Sequence, residues 1–264
     1  MFLQLNDVGK TFEDKEKGEF EVFSNIDLSI DRKEFVSLLG PSGCGKSTLL
    51  SMVAGLEHAT SGTIQLEDKQ IKQAGPDRGM VFQQPSLFPW LNVRDNVTFP
   101  LKSTLSKQEA EKRADHFLKM VHLSRFKKHY TYELSGGMQQ RVAIARALAM
   151  DPKVLLMDEP FGALDEQTRH ILHDELIKIW EETQKTILFV THSIQEAIKL
   201  SDRVIVMGTR PGRIIADFNV DIPRPRKRSD ERVIELEDKV MNLLKEEINK
   251  VLKEELNNEL EYSH

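Results

Sequence analysis

The spacing of apolar and polar residues differs between three zones of the chain. From Met1 to about Gln84, short β-rich runs alternate with turns. Residues 86–133 carry few strand signals, whereas residues 134–215 return to alternating helix and strand patterns. This order predicts an α/β core that is interrupted by a helical insert.

Individual segments support this organisation. Residues 34–39 form a β-rich run that leads directly into a glycine-rich loop. Residues 154–157 and 186–190 are short apolar runs, as strands buried in a parallel sheet are. Ser106 is followed three positions later by Glu109, a capping-box pattern that predicts the start of a helix.

A change of composition marks a boundary at about Arg228, after the prolines and basic residues of 222–228. We therefore expect one domain over 1–228 and a separate segment over 229–264. Apolar residues in this segment recur at three- and four-residue steps and predict an amphipathic helix: Val233, Leu236, Val240, Leu243, Leu244, Ile248, Val251, Leu252, Leu256 and Leu260. The simpler interpretation is a helix packed on its own domain, and the alternative is a homodimer contact or regulatory element. The basic cluster 224–228 is expected to be a solvated linker.

Composition narrows the class of protein. The chain has 264 residues, a formal charge of −5 and one cysteine. The net charge gives no reason to expect a nucleic-acid partner, and a single cysteine excludes an internal disulfide and suggests a reducing compartment. We expect no secretory signal at the N-terminus and no membrane span, because no apolar run approaches the roughly 20 residues that a span needs.

The glycine-rich loop matches the phosphate-binding pattern G-x-x-x-x-G-K-[ST]. Its backbone N–H groups and the positive end of a predicted helix over 46–54 would surround phosphate oxygens. Lys46 would bridge the β- and γ-phosphates of ATP, and Ser47 would bind Mg²⁺. A bound nucleotide would cover Cys44, unless the thiol is sealed beneath the loop. The predicted nucleotide-binding residues here are Gly40, Pro41, Ser42, Gly43, Cys44, Gly45, Lys46, Ser47 and Thr48.

Two other segments carry candidate chemistry. Asp158 and Glu159 follow a buried strand, at the edge where α/β sheets bind ligands, and Asp158 suits a magnesium site. The alternative is an acidic pair at a helix N-terminus. A predicted helix over 138–149 is preceded by Ser135, Gly136 and Gly137. This helix start is either a second anion site or an ordinary capped helix.

Together these motifs resemble the nucleotide-binding subunit of an ATP-binding cassette (ABC) transporter. The phosphate loop 40–48, the signature segment Leu-Ser-Gly-Gly-Met-Gln-Gln-Arg at 134–141 and Val-Leu-Leu-Met-Asp-Glu-Pro at 154–160 occur in the family's order. The resemblance extends from Phe2 to about Arg228. It implies a P-loop NTPase core with a RecA-like parallel sheet, an antiparallel β subdomain and a helical ABC insert at about 86–150. The C-terminal helical extension is additional to this fold.

The resemblance also implies roles for single residues. Glu159 would polarise the attacking water, and His192 would bind the γ-phosphate. Gln83, or its neighbour Gln84, would contact Mg²⁺ or the attacking water and report the nucleotide state to the helical insert. Phe12 would stack on adenine.

An ATP-bound homodimer follows from the same resemblance. The signature segment of one subunit, including Ser135, Gly136 and Gly137, would close over ATP held by the phosphate loop of the other. Asp165 lies in the D-loop 162–165, which would cross the two-fold axis. Hydrolysis would be in-line attack of water on the γ-phosphorus, driven by positioning and charge neutralisation.

Weaker features indicate a branch of the family. The apolar segment 85–93 would either fill the core of the insert or form a groove for a coupling helix of a membrane subunit. Its Pro-Trp pair, with the segments 210–214 and 222–226, is similar to importers of nitrate, sulfonate and taurine.

We therefore predict an ATP- and Mg²⁺-dependent ATPase subunit of an importer, peripheral on the cytoplasmic face of the cell membrane. Its partners would be a permease and, indirectly, a solute-binding protein, but not nucleic acid. The alternative is a non-transport ABC ATPase that acts on nucleic acid or ribosomes. An export ATPase is disfavoured by the Met-Gln-Gln-Arg end of the signature segment.

Overall fold

The computed structural model describes residues 1–14 and 18–261 of the chain. It divides into two compact units, a first unit of residues 1–73 and 190–264 and a second unit of residues 74–189. The boundaries predicted from the sequence, 1–228 and 229–264, stay predictions. The side chains of four residues in the predicted apolar stripe lie outside the described part of the structure: Val251, Leu252, Leu256 and Leu260.

An antiparallel sheet of four strands opens the first unit. Its strands are β1 (Leu3–Asp14), β2 (Gly18–Ile30), β4 (Ser61–Leu66) and β5 (Lys69–Gln70), in the spatial order β2-β1-β4-β5. The C-terminal part of β2 alternates buried apolar and more exposed residues, as a strand with one face on the core does.

The first unit also contains the strand that leads into the phosphate loop. β3 (Phe35–Leu39) is buried at every position and pairs in parallel with β9 (Arg203–Gly208). β10 (Arg213–Asn219) pairs with β9 in the antiparallel direction. Complete burial explains why four of the five residues of β3 are apolar, and the structure confirms a strand over the β-rich run that leads into the loop.

In its described residues, the first unit contains the helices α1 (Lys46–Ala54), α6 (Ile194–Leu200) and α7 (Glu231–Glu261). Val233, Val240 and Leu244 of α7 are buried in a cluster with Ala197 and Ile198 of α6. The helix therefore packs on its own unit, which confirms the simpler interpretation of the C-terminal extension for its described side chains.

The prediction of a solvated linker at 224–228 is wrong for two of its arginines. Arg226 is only 9% exposed and donates hydrogen bonds to the carbonyls of Ile198, Ser201, Val220 and Ile222. Arg224 donates to Leu200 O and to Asp202 Oδ1. Desolvation, with repulsion from Arg224, lowers the pKa of Arg226 to about 10, so its guanidinium stays charged at neutral pH.

The second unit combines a parallel strand pair with helices. β6 (Arg78–Val81) pairs in parallel with β7 (Val154–Asp158). The helices are α2 (Val93–Thr98), α3 (Lys107–Met120), α4 (Gly136–Ala149) and α5 (Glu166–Thr183). β8 (Thr186–Thr191) is fully buried, and its last two residues belong to the first unit.

The ends of two helices test the sequence patterns directly. α3 has Ser106 as its N-cap with the complete capping box to Glu109, which confirms that prediction. α4 begins at Gly136 rather than at residue 138, because Ser135 caps the helix and both glycines form its first turn. Across the described residues, none of the helices is both long and apolar enough to cross a membrane.

Candidate functional site

The phosphate loop joins β3 to α1 in the first unit. Gly45 has a φ of 93°, in the left-handed region that favours glycine. A side-chain carbon on Gly45 would also lie 2.5 Å from Cδ1 of Phe23, so no larger residue fits without displacing the ring. Ser42, Gly43 and Ser47 are exposed. The loop thus presents backbone and hydroxyl groups to solvent at the N-terminus of a helix, a geometry that suits an anion.

Lys46 is held by the loop itself. Its side chain is buried, and Nζ donates to the carbonyls of Gly40 and Pro41, each at 2.9 Å. A buried ammonium needs such partners because desolvation is costly. These bonds fix the loop's cation beside the first two loop residues.

Cys44 is buried. Of the two placements considered for its thiol, covered by a bound nucleotide or buried in the protein, the structure shows the second. The residue has no exposed surface, and Sγ lies 3.7 Å from Lys46 Nζ. Burial raises the pKa of the Cys44 thiol, although the charge of Lys46 acts in the opposite direction. The side chain of Cys44 is therefore not a surface that a nucleotide could shield, and only its backbone remains a candidate contact.

Phe12 and His192 are the other two candidates in the first unit. Phe12 lies in β1 and is 40% exposed, with Lys10 Nζ 4.4 Å from the centre of its ring. An aromatic face this accessible can stack on a base. His192 directly follows β8 and is exposed.

In the second unit, two predicted catalytic side chains converge on one backbone position. β7 ends at Asp158, and Glu159 follows with a φ of 41°, a left-handed conformation that is uncommon for a glutamate. A side-chain carbon on Gly162 would lie 3.4 Å from Gln83 Nε2 and 3.6 Å from Glu159 Oε2. The amide and the carboxylate thus lie beside the same glycine, as expected if both act on one water molecule.

In the signature segment, Ser135 caps α4 as predicted, although the helix begins two residues earlier than predicted. Ser135 Oγ accepts a hydrogen bond from the Met138 N–H, and both Ser135 and Gly136 are exposed. A side-chain carbon on Gly137 would meet Thr168 Cγ2 at 2.7 Å, so this glycine is required by close packing on α5. The glycines therefore leave the helix end open while the serine satisfies one N–H group.

Asp165 contributes to the same region by capping α5. Its Oδ1 accepts the Thr168 N–H at 2.9 Å, and hydrogen bonds from Thr168 lower the pKa of the Asp165 carboxyl. Asp165 is exposed, as is Gly162 at the start of the D-loop. Arg169 braces this loop by donating to the carbonyls of Phe161 and Leu164.

Two side chains that hold the segment around Gln83 were not predicted from the sequence. Gln140 of α4 is 1% exposed and donates through Nε2 to Phe82 O at 3.3 Å. Arg146 donates to the carbonyls of Pro85 and Ser86 at 3.0 and 2.8 Å. Their acceptors are backbone carbonyls about 60 residues away in sequence, and no local residue pattern marks such partners.

Comparison with known proteins identifies the family. A family model described as ABC transporter matches residues 23–162, more than half of the chain. The chain belongs to the ABC transporter family. As one of its ATP-binding subunits it is an ATPase, and the predicted resemblance is confirmed.

Relatives in this family carry import functions in their names. The nitrate import ATP-binding protein NrtD of Synechocystis sp. is 46% identical over 89% of each chain. The aliphatic sulfonates import ATP-binding protein SsuB of Bacillus cereus is 43% identical, over 91% of this chain and 95% of its own. These relatives match the branch that the Pro-Trp segment indicated.

A solved structure supports the fold. The dimeric, post-hydrolysis structure of the ATP-binding cassette MJ0796, bound to ADP and Pi, aligns with a TM-score of 0.74 at 36% identity. The alignment covers 84% of this ABC ATPase and all of that chain. The comparison confirms the predicted P-loop cassette fold, and the neighbour's assembly supports the homodimer.

Proposed function

We propose that this ABC ATPase energises an importer of a small solute such as nitrate, a sulfonate or taurine, through a separate permease. The observation that carries the proposal is the geometry of the candidate catalytic groups. Lys46 is fixed in a phosphate loop, while Gln83 and Glu159 converge beside Gly162. The similarity to nitrate and sulfonate import subunits supports the direction of transport and the class of solute.

The phosphate loop, residues 40–48, holds the β- and γ-phosphates in this proposal, and Phe12 stacks on the adenine. Glu159 orients and polarises the attacking water, with Gln83 beside it. His192 donates a hydrogen bond to the γ-phosphate. Ser135, Gly136, Gly137 and Asp165 act across the two-fold axis on the nucleotide held by the partner subunit.

Mg²⁺ is the metal that the candidate donors fit. Ser47 offers a hydroxyl, Gln83 an amide oxygen and Asp158 a carboxylate, and oxygen ligands are those that Mg²⁺ prefers. Bound to the nucleotide, the ion would neutralise charge on the β- and γ-phosphates.

Exposed aromatic residues support a membrane partner. In the second unit, Trp90 is 70% and Phe99 47% exposed, and Phe88 lies between them with ring centres 5.4 and 4.6 Å away. Leu87 and Leu91 are half-buried, so the segment 85–93 both fills the unit and presents an apolar surface. Such a patch marks an interaction site, and we assign it to a permease at the cytoplasmic face of the cell membrane.

Reconstitution with a candidate permease tests the proposal. Proteoliposomes that carry the permease, with the ATPase and Mg²⁺-ATP enclosed in the lumen, should accumulate nitrate, taurine or an alkanesulfonate supplied outside together with the cognate solute-binding protein, and should not do so when ATP is left out. The Lys46→Ala variant should assemble but not transport. Transport that proceeds without ATP would contradict the proposal, as would an ATPase that responds to RNA or ribosomes but to no permease.

A further inference from the structure

His192 occupies the corner between a buried strand and a short helix. Thr191, the last residue of β8, is 1% exposed, whereas His192 is exposed. Ser193 then caps α6, since its side chain accepts the Glu196 N–H at 3.3 Å. The direction of the Cα–Cβ bond of His192 is therefore set by the backbone at this corner.

A second set of hydrogen bonds crosses the corner beneath His192. The Thr191 hydroxyl donates to Oε2 of Glu196, and Thr191 Oγ1 accepts the Ser193 N–H at 3.0 Å. With the Ser193 cap, these bonds close a ring through the residues on both sides of His192. Glu196 is 6% exposed, so its carboxylate is a buried member of the ring.

The ring extends the cap of α6. Ser193 satisfies one N–H group at the helix end, and Glu196 stands three residues later, at the position of a capping-box glutamate. Thr191 joins this cap, because its Oγ1 accepts the Ser193 N–H and its hydroxyl donates to Glu196. The cap therefore includes a residue on the strand side of His192, and it ties the backbone before and after the exposed histidine to a buried carboxylate.

The far end of α6 is also held firmly. Arg226 donates to Ile198 O and Ser201 O, and Arg224 donates to Leu200 O. Ala197 and Ile198 are buried in the cluster with α7. Because α6 is anchored at its C-terminal end, a displacement of the ring would move the corner at His192 rather than the far end of the helix.

We propose that Thr191 and Glu196 are positioning residues for His192. The proposal rests on the proposed role of His192 at the γ-phosphate. The Thr191 hydroxyl, oriented by the Glu196 carboxylate, holds the Ser193 N–H and so fixes the backbone from which the His192 side chain projects. Catalytic groups must be held within about 0.5 Å of their working geometry, and a displacement of about 1 Å can cost about a hundredfold in rate.

Steady-state ATP hydrolysis by the purified full chain tests the proposal with four variants. Thr191→Val keeps the side-chain shape but removes the hydroxyl, and we expect kcat to fall roughly ten- to a hundredfold with ATP affinity unchanged. Thr191→Ser restores the hydroxyl and should restore kcat. Glu196→Gln retains an acceptor without the charge and should lower kcat less than Thr191→Val. Ser201→Ala is the matched control, since it removes the buried Ser37–Ser201 hydrogen bond at the other end of α6 and should leave kcat unchanged.

The His192→Ala background separates positioning from general stability. If the ring acts through His192, Glu196→Gln should not lower the residual kcat of His192→Ala any further. An additional loss of the same size in that background would overturn the proposal. This test remains available if Thr191→Val does not fold.

Failure of this inference differs from failure of the proposed function. Wild-type kcat in His192→Ala would reject the role of the histidine itself. Loss of activity in His192→Ala together with wild-type kcat in Thr191→Val would reject only the positioning role. Equal loss in Thr191→Val and Thr191→Ser would also reject it, because the hydroxyl would then not matter.

Discussion

Glu247 of α7 forms an ion pair with Arg213 of β10, with 2.9 Å between Glu247 Oε1 and Arg213 Nη2. Glu247 is 3% exposed, and its Oε1 also accepts the Thr209 N–H at 3.2 Å. This buried carboxylate lies in the C-terminal extension, whereas both partners lie in the sheet region of the same unit. The extension is therefore attached by a specific polar contact as well as by its apolar stripe.

Replacing Glu247 should destabilise the protein. Glu247→Ala removes the acceptor of the half-buried Thr209 N–H and the ion-pair partner of Arg213, and each lost hydrogen bond costs about 1 kcal/mol. Chemical denaturation should show this loss in the free energy of unfolding. The neighbouring Glu246 is exposed, so Glu246→Ala should change it by at most about 0.5 kcal/mol. Equal effects of the two variants would show that the buried contacts of Glu247 contribute nothing.

Cys44 should be unreactive in the folded protein whether or not ATP is bound. Its thiol is buried and its raised pKa leaves less thiolate at any given pH, and thiolate is the reactive form. Iodoacetamide labelling at pH 8, read by mass spectrometry, should modify the single cysteine only after unfolding. Protection that depends on ATP would contradict the buried placement.

Local sequence patterns predicted those parts of the structure whose interacting residues are close together in the chain. Ser106 and Glu109 form their capping box because both partners lie within one helical turn. The phosphate loop appears as predicted because its glycines and the following helix are contiguous in the chain. The start of α4 was predicted two residues too late. Its two glycines have a low helix propensity, but with Ser135 as the cap they form the first turn of the helix.

Contacts between distant segments could not be read from the sequence. The residues 224–228 look like a solvated basic cluster, yet Arg226 is buried because carbonyls at residues 198, 201, 220 and 222 surround it. Gln140 holds Phe82 O across 58 residues of sequence. In both cases the partner is a backbone carbonyl, which every residue carries, so residue identity gives no signal.

Lys46→Ala should abolish ATP hydrolysis and greatly weaken nucleotide binding. The substitution removes the cation that the carbonyls of Gly40 and Pro41 hold in the phosphate loop. Isothermal titration with ATP and a phosphate-release assay measure the two effects. Unchanged circular dichroism would show that the fold is intact, and tight ATP binding with near-normal turnover would rule out the assigned role of the loop.

Glu159→Gln should retain ATP binding while slowing hydrolysis by about a hundredfold or more, the scale of a lost general base. The amide keeps the shape of the side chain beside Gly162 but cannot accept a proton from water. Size-exclusion chromatography with Mg²⁺-ATP should then show an accumulated dimer. Glu166→Gln changes an exposed carboxylate in the first turn of α5 and serves as the control. Wild-type hydrolysis by Glu159→Gln would exclude the catalytic role.

Ser135→Arg should separate ATP binding from ATP hydrolysis. The exposed cap of α4 is proposed to face the nucleotide of the partner subunit, so ATP binding by the isolated monomer should be almost unchanged. Hydrolysis should be lost, because a bulky cation replaces the cap. Ser106→Arg disrupts the exposed cap of α3 in the same unit and controls for the cost of losing a cap, typically about 1 kcal/mol.

Mixing Ser135→Arg with Lys46→Ala tests whether the phosphate loop of one subunit and the signature segment of the other act on the same nucleotide. In a mixed dimer, one composite site combines an intact loop with an intact signature segment, while the other site carries both defects. If one intact site can turn over, the mixture should therefore recover activity above either variant alone. Monomer binding decides the geometry independently of turnover. Loss of ATP affinity in monomeric Ser135→Arg, with Ser106→Arg unaffected, would place the signature segment at its own subunit's nucleotide and contradict the two-fold arrangement.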